Sequence, residues 1–281
     1  MVKTILILGY SGMLGSRISS ALIGDPNFKV ILAGRTKPTL STFQDIDFIK
    51  FDAASSNLEV LILSSKPDYV INAFGWIKQK DENRSLALIL NSVIPNQLAE
   101  FSERYNFNLI HFSTDCVFDG FTGNYNVNSP PNPTDFYGRT KYLGEVNGNN
   151  VMCIRSSLIG YEVNSRKSLL EWILSQKKQI TGYSNAIFSG VSTNEIANLV
   201  YKVILREFEP GLFHVASEPI SKLNLIKIVK SVFSLDFKIS VDDSVIIDRS
   251  LRPNYKELGV NWTPLDWQKK IDDIMSTGRL Q

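Results

Sequence analysis

Cysteine and histidine are scarce: the 281-residue chain holds only Cys116 and Cys153, His111 and His214. No CxxC spacing occurs, which argues against a zinc site or a disulfide framework. Two histidines do not make a His-rich metal centre, and no metal is expected. A surplus of one charge sign is also missing. Thirty Lys and Arg stand against 28 Asp and Glu with no basic tract, whereas nucleic-acid binders concentrate positive charge on one face. No apolar run approaches the roughly 18 residues that span a bilayer. The apolar start, Ile5-Leu6-Ile7-Leu8, is too short for a signal-peptide core and has no small-residue cleavage site behind it. The expectation is a cytoplasmic protein with neither a membrane nor a nucleic-acid partner. Internal repeats and low-complexity tracts are absent as well. A hydrophobic fraction of 43% with 21% charged residues is a globular composition, long enough to fold without a staple.

What is present alternates strand and helix. Lys3–Leu8 is a nearly continuous aliphatic run closed by Gly9, the pattern of a strand buried on both faces. Phe28–Ala33, Asp47–Phe51, Asp68–Ala73, Phe107–Phe112 and Met152–Arg155 read as further strands. Arg17–Ile23, Asn57–Ser64, Ser85–Tyr105 with a break near Pro95, and Tyr137–Val146 read as helices between and after them. This rhythm predicts right-handed crossovers and a doubly wound parallel sheet. Thr122–Thr134, with Gly123 and three prolines, is a loop. Later, Ser168–Lys177 and Ser221–Phe233 read as helices and Leu212–Ala216 as a strand. Ser192-Thr193-Asn194-Glu195 has the spacing of a capping box. The last helix is expected to start with Thr263 as N-cap and Pro264 in first position. The expected organisation is an α/β Rossmann domain over 1–160 and a smaller α/β lobe over 161–281, with some chain crossing between them.

Gly9-Tyr10-Ser11-Gly12-Met13-Leu14-Gly15 lies between the first strand and the first helix. In that setting the first glycine permits a tight turn, the second lets a pyrophosphate approach the main chain, and the third lets helix pack on strand. The helix N-terminus then offers free N–H groups to the phosphates. Twenty residues past Gly15, where an acid would grip the ribose of NAD, stands Arg35. A guanidinium suits a 2′-phosphate, so NADPH is favoured over NADH.

Tyr137-Gly138-Arg139-Thr140-Lys141 is a YxxxK pair, placing Tyr137 and Lys141 on one helix face. A cation beside the phenol lowers its pKa and makes it a usable proton donor or acceptor. The fifth strand ends in Phe112-Ser113-Thr114-Asp115, at the sheet edge where doubly wound folds bind ligands. His111 and His214 read as structural. Trp172, Trp262 and Trp267 read as packing residues, and Trp76 as lining a substrate cleft.

These stretches, with Val70-Ile71-Asn72-Ala73, Asn91, the run Phe112–Gly120, Gly144-Glu145 and Arg155-Ser156-Ser157, resemble the extended short-chain dehydrogenase/reductases, specifically the dTDP-4-dehydrorhamnose reductase branch. The match covers roughly the first 160 residues. The resemblance implies a Thr114, Tyr137 and Lys141 triad reducing the 4-keto group of a nucleotide-activated 4-keto-6-deoxy sugar with NADPH, for polysaccharide or glycan precursors. Cofactor contacts are implied at Gly9, Ser11, Gly12, Met13, Leu14, Gly15, Arg35, Asp52, Ala73, Tyr137 and Lys141. Substrate contacts are implied at Trp76, Cys116 and Arg249, the last as a diphosphate contact. The family block usually has tyrosine where Cys116 stands. Related GDP-fucose synthases carry a cysteine two residues after the catalytic hydroxyl, so a bifunctional epimerase/reductase stays open. So do a nucleotide-sugar 4-epimerase and a non-catalytic regulatory subunit of this fold. The chain is expected to act as a monomer or homodimer.

Overall fold

The computed structural model describes residues 2–77, 83–163, 165–206 and 208–280. Six strands arrive in succession: β1 (Lys3–Leu8), β2 (Phe28–Gly34), β3 (Asp47–Lys50), β4 (Tyr69–Asn72), β5 (Asn108–Ser113) and β6 (Val151–Arg155). Past them, β7 (Leu158–Ile159), β8 (Gln179–Tyr183), β9 (Ala186–Phe188) and β10 (Val191–Ser192) leave the sheet before β11 (Gly211–His214) returns to pair with β6. The seven-stranded order is β11-β6-β5-β4-β1-β2-β3, parallel throughout.

Strand β1 shows why both faces must be covered. Ile5 and Ile7 face one apolar cluster, with α1 (Met13–Leu22) contributing Leu14 and Ile18. Leu6 and Leu8 face the other, with Leu58, Leu61 and Ile62 of α2 (Leu58–Ser65). All four β1 side chains are fully buried, each contributing about 1.5–3 kcal/mol. The chain reverses winding direction beside β1, which has β4 on one side and β2 on the other. That is the topological switch point, where a crevice opens past the strand ends.

Two helical stretches then position the site. The expected helix over 85–105 is α3 (Arg84–Leu88), a π turn at Ile89–Val93, and α4 (Ile94–Tyr105). The interruption falls just before Pro95, near where the sequence placed it. Pro95 has no N–H to give the carbonyl four residues back, that of Asn91. That carbonyl instead faces Gly144, where a Cβ would stand 1.8 Å from it. Beyond a loop, α5 (Phe136–Leu143) is capped by Asp135, whose carboxylate accepts from the Gly138 N–H at 2.7 Å.

The remaining helices are α6 (Leu169–Ser175), α7 (Thr193–Leu205), α8 (Lys222–Val232) and α9 (Trp267–Thr277). Helix α7 opens on the Ser192/Glu195 capping box and packs with α1 on the sheet, through Ile196, Leu199 and Val203. Sequence beyond residue 160 therefore contributes both α7 and β11 to the sheet layers. Helices α6, α8 and α9 enclose a separate core around Leu170, Leu225 and Ile271. The lobe also holds β12 (Ile220–Ser221), β13 (Lys238–Asp242) and β14 (Ile247–Asp248), with β12 and β14 flanking β9 and β13 beside β8.

Two expectations fail here. Helix α9 starts at Trp267 behind Asp266, not at Pro264 behind Thr263. The Leu265 N–H is drawn to Glu195 Oε1 at 2.7 Å, so the chain stays extended until Asp266 caps the Lys269 N–H. Trp172 is 41% exposed, because its face of α6 looks away from the lobe core.

Candidate active site

The register aligns Leu8, Asn72 and His111 across β1, β4 and β5, so Gly9, Ala73 and Thr114 all emerge at one sheet edge. Gly9 takes φ +80, and a Cβ on it would stand 2.6 Å from the Ala73 carbonyl oxygen. A Cβ on Gly15 would lie 2.2 Å from the Gly9 oxygen. Only glycine permits this approach, which leaves bare main chain at the start of α1. A cleft of about 370 Å³ opens there, lined by Gly9, Ser11, Gly12, Arg35, Asp52, Ala73 and others. Arg35 also lines an adjoining cavity of about 320 Å³ with Ser11 and Lys37. Six of the expected cofactor residues thus meet in one cleft, with a cation at its far end. Gly15 lies behind the turn, Met13 opens α1, and the Leu14 side chain is buried in the core; these three do not line the cleft.

Thr114 follows β5 and caps a short turn, Asp115–Val117, by accepting from the Cys116 N–H at 3.2 Å while donating to Asp115 Oδ1 at 3.0 Å. Helix α5 lies directly on this turn. At Gly138 a Cβ would be 2.2 Å from the Cys116 carbonyl oxygen, so the adjacent Tyr137 is brought beside Thr114, near enough for that hydroxyl to act on the phenol. Lys141, one turn on, is 4% exposed and donates to the Phe112 carbonyl at 2.6 Å. The three residues therefore converge.

Their electrostatics differ from the expectation. Burial raises the Tyr137 phenol above its ordinary range; Cys116 adds to this and the neighbouring Thr114 hydroxyl opposes it. Lys141 does not bring it down, because its ammonium is committed to Phe112 and is itself pulled to about 8 by burial. Burial also pushes the Cys116 thiol up to about 12, with Asp115 adding to the shift. Asp115, 6% exposed, is likewise raised by burial.

A frame of buried polar contacts holds this arrangement. Asn91, in the π turn, accepts from the Trp76 N–H at 2.9 Å and donates to the Trp76 carbonyl and to Thr140 Oγ1 at 3.1 and 3.0 Å. It ties the segment after β4 to α5. Glu145 receives Arg155 through two bonds of 2.7 Å and Ser113 Oγ at 2.6 Å. Arg155 also donates to His214 Nε2 at 3.2 Å, which leaves Nδ1–H for the Tyr125 carbonyl. Burial lowers His214 to about 4, consistent with that neutral form.

The expected substrate residues contact the start of α5 and the turn after β5. Trp76 packs edge-on against Phe136 at 6.2 Å, and its buried indole N–H has no hydrogen-bond partner among the described residues. Arg249, just past β14, donates to the Phe118 carbonyl at 3.0 Å and reaches Cys116 Sγ at 3.7 Å. Lys222 was not anticipated. It opens α8 beside β9, with its ammonium 3.5 Å from the Phe188 ring centre and attracted by Asp115 and Cys116. Burial brings it to about 8. Nothing local in Ser221-Lys222-Leu223 marks this role, since it depends on β9 and β12 pairing.

Residues 3–258 match the family model of the RmlD substrate binding domain. The chain belongs to that family. It is 26% identical over 263 residues to the dTDP-4-dehydrorhamnose reductase of Aggregatibacter actinomycetemcomitans, covering 88% of this chain and 81% of that one. A 144-residue stretch is 31% identical to methionine adenosyltransferase 2 subunit beta of Xenopus tropicalis, covering 50% of this chain and 41% of the relative. The fold superposes with a TM-score of 0.79 on the crystal structure of dTDP-4-dehydrorhamnose reductase from Bacillus anthracis in complex with NADP. That match covers 99% of this chain and 100% of the other at 18% identity, and it shows the doubly wound fold.

Proposed function

We propose that this RmlD-family chain is an NADPH-dependent reductase of the 4-keto group of a nucleotide-activated 4-keto-6-deoxy sugar. The observation that carries the reading is the close placement of Thr114 and Tyr137, set by the approach of Gly138 to the turn after β5, with Lys141 anchored to Phe112 one turn on. The names of the relatives support the same chemistry, and an NADP-bound structure shares the fold. In this reading Gly9, Gly12 and Ala73 leave room for the dinucleotide, Arg35 holds the 2′-phosphate and Asp52 lies toward the adenine. A reduced nicotinamide bound there supplies hydride. Tyr137 gives its proton to the developing oxyanion, and the Thr114 hydroxyl holds that oxygen in place. The phenol's raised pKa keeps it protonated and ready to donate. Lys141 provides the fixed positive charge behind them. Arg249 and Lys222 hold the substrate diphosphate on the lobe side, and Trp76 lines the opposite wall with a free donor. The molecule works in the cytoplasm as a monomer or homodimer; no described helix is long and apolar enough to cross a membrane.

The regulatory-subunit reading keeps the fold without the chemistry, and the complete hydroxyl, phenol and ammonium set favours the enzyme. A role for Cys116 in epimerisation needs a thiolate, whereas its thiol is pushed up to about 12. The test is NADPH consumption with a panel of 4-keto-6-deoxy nucleotide sugars, run in heavy water. Turnover without deuterium at C3 or C5 is expected. An unchanged nicotinamide absorbance across the panel rejects the reductase, and deuterium uptake lost in Cys116→Ser establishes the epimerase.

A further inference from the structure

The glycine helix is tied to the segment that follows α9. Arg17, 7% exposed on α1, donates through Nη2 to the Gly278 carbonyl. Gly278 takes φ +67, which turns the chain out of α9. Its neighbour Arg279 then grips the lobe. Nη1 and Nη2 reach the two oxygens of Glu171 at 2.5 and 2.6 Å, and Nη1 also reaches the Glu162 carbonyl at 3.4 Å. The guanidinium stacks 4.5 Å from the Tyr161 ring centre. Glu171 is 2% exposed and spends Oε1 on the Glu162 N–H as well, at 3.1 Å. Arg279 therefore fixes the main chain at 161–162 from both sides.

Glu162 passes that constraint on. Its buried carboxylate accepts from Ser165 Oγ at 2.6 Å, from the Lys167 N–H at 2.5 Å and from the Ser168 N–H at 2.9 Å. Ser165, held this way, lines the cleft with Gly9, Gly12 and Ala73. Val163, next to Glu162, lines the adjoining cavity with Arg35 and Lys37. A wall of the dinucleotide cleft thus comes from the lobe, and its position is set more than 100 residues further along the chain.

We infer that Arg279 is a positioning residue for the cofactor: acting through Glu171 and Glu162, it holds Val163 and Ser165 against the dinucleotide. This rests on the reading of the glycine cleft as the NADPH site. A loop held in its bound position spares the ordering cost of binding, so releasing it weakens affinity without touching Tyr137 or Thr114.

Arg279→Ala strands a buried carboxylate and destabilises the fold as well, so the deciding variant is Glu171→Gln/Arg279→Gln, which removes both charges together. NADPH affinity is measured by nicotinamide fluorescence, with kcat and both KM values from steady-state turnover. The double variant is expected to bind NADPH about tenfold more weakly, with a matching rise in the NADPH KM and kcat changed less than twofold. Arg279→Lys should recover part of the affinity. Trypsin should cut at the exposed Arg166 and Lys167 several-fold faster in the double variant, and NADPH should slow the cut in the wild type. A folded double variant that binds NADPH within twofold of wild type overturns the inference and leaves the cleft reading intact. A wild-type chain that binds no NADPH overturns the cleft reading, and the inference with it.

Discussion

The ammonium of Lys141 donates to the main-chain oxygen of Phe112 at 2.6 Å, which anchors α5 to the strand that carries Ser113 and Thr114. The charge is held where water is scarce, so burial brings it from an ordinary lysine value to about 8. The charged form is the one that serves the reaction, so kcat/KM is expected to fall as pH rises through about 8, following loss of this proton from the free enzyme. The sign for folding is opposite: the buried ammonium opposes folding below about 8, and that opposition fades as pH climbs toward the unfolded value. Lys141→Met should show low activity with no alkaline limb. Lys141→Arg, charged throughout, should also lack the limb. A wild-type profile flat to pH 10 rejects this assignment.

Gly138 decides how closely α5 approaches the turn after β5. An added Cβ meets the Cys116 carbonyl at 2.2 Å and Pro133 at 2.9 Å, so Gly138→Ala must push the helix away. A misplacement near 1 Å costs about 100-fold in rate, and kcat should drop on that scale. NADPH affinity should stay within about threefold, since Gly138 does not line the glycine cleft. Tyr137→Phe, by comparison, removes the proton donor outright and should cost about 10²–10⁴ in kcat with cofactor binding retained. Equal losses of kcat and NADPH affinity in Gly138→Ala would contradict this separation of roles.

The fold was legible wherever the local pattern and the long-range structure have the same cause. A run such as Lys3–Leu8 is aliphatic throughout because both sheet faces are covered, and Gly9 follows because the turn needs it. Thr114, Tyr137 and Lys141 were legible for a related reason: each sits at a strand end or on one helix face, where spacing fixes placement. The contacts that hold them were not. Asn91 stood out only as part of the family resemblance, and its role as a brace arises from a π turn that local propensity does not encode. Lys222 and Arg279 act across more than 100 residues of sequence, through pairings no spacing reveals. The pKa of Tyr137 was misjudged because i and i+4 adjacency says nothing about where a lysine spends its hydrogen bonds.

Arg35 faces two cavities at the end of β2 and is exposed. Its charge is available to a phosphate rather than consumed in a buried pair. Arg35→Ala should weaken NADPH about 10- to 100-fold, the scale of losing charge-assisted hydrogen bonds, and leave NADH binding unchanged. Titration of both cofactors against wild type and variant checks this. An equal loss for the two would place the cation on the pyrophosphate instead of the 2′-phosphate.

The start of α9 gives a prediction that separates two neighbouring candidates for one role. Asp266 accepts from the Lys269 N–H at 2.9 Å and pairs with the Lys269 ammonium at 3.0 Å, whereas Thr263 is exposed and precedes a stretch pinned by Glu195. Asp266→Ala should lower the melting temperature by about 2–4 °C, and Thr263→Ala should leave it within error. Hydrogen bonds to Lys269 hold the Asp266 carboxyl below its ordinary range. Its stabilisation is therefore complete above the unfolded carboxylate pKa and is lost as pH falls through the lower folded value. The gap between wild type and Asp266→Ala should accordingly close in acid, while Asp266→Asn, which keeps an acceptor but no charge, should hold its smaller advantage over alanine at every pH. A larger effect at Thr263 than at Asp266 would move the helix start back to Pro264.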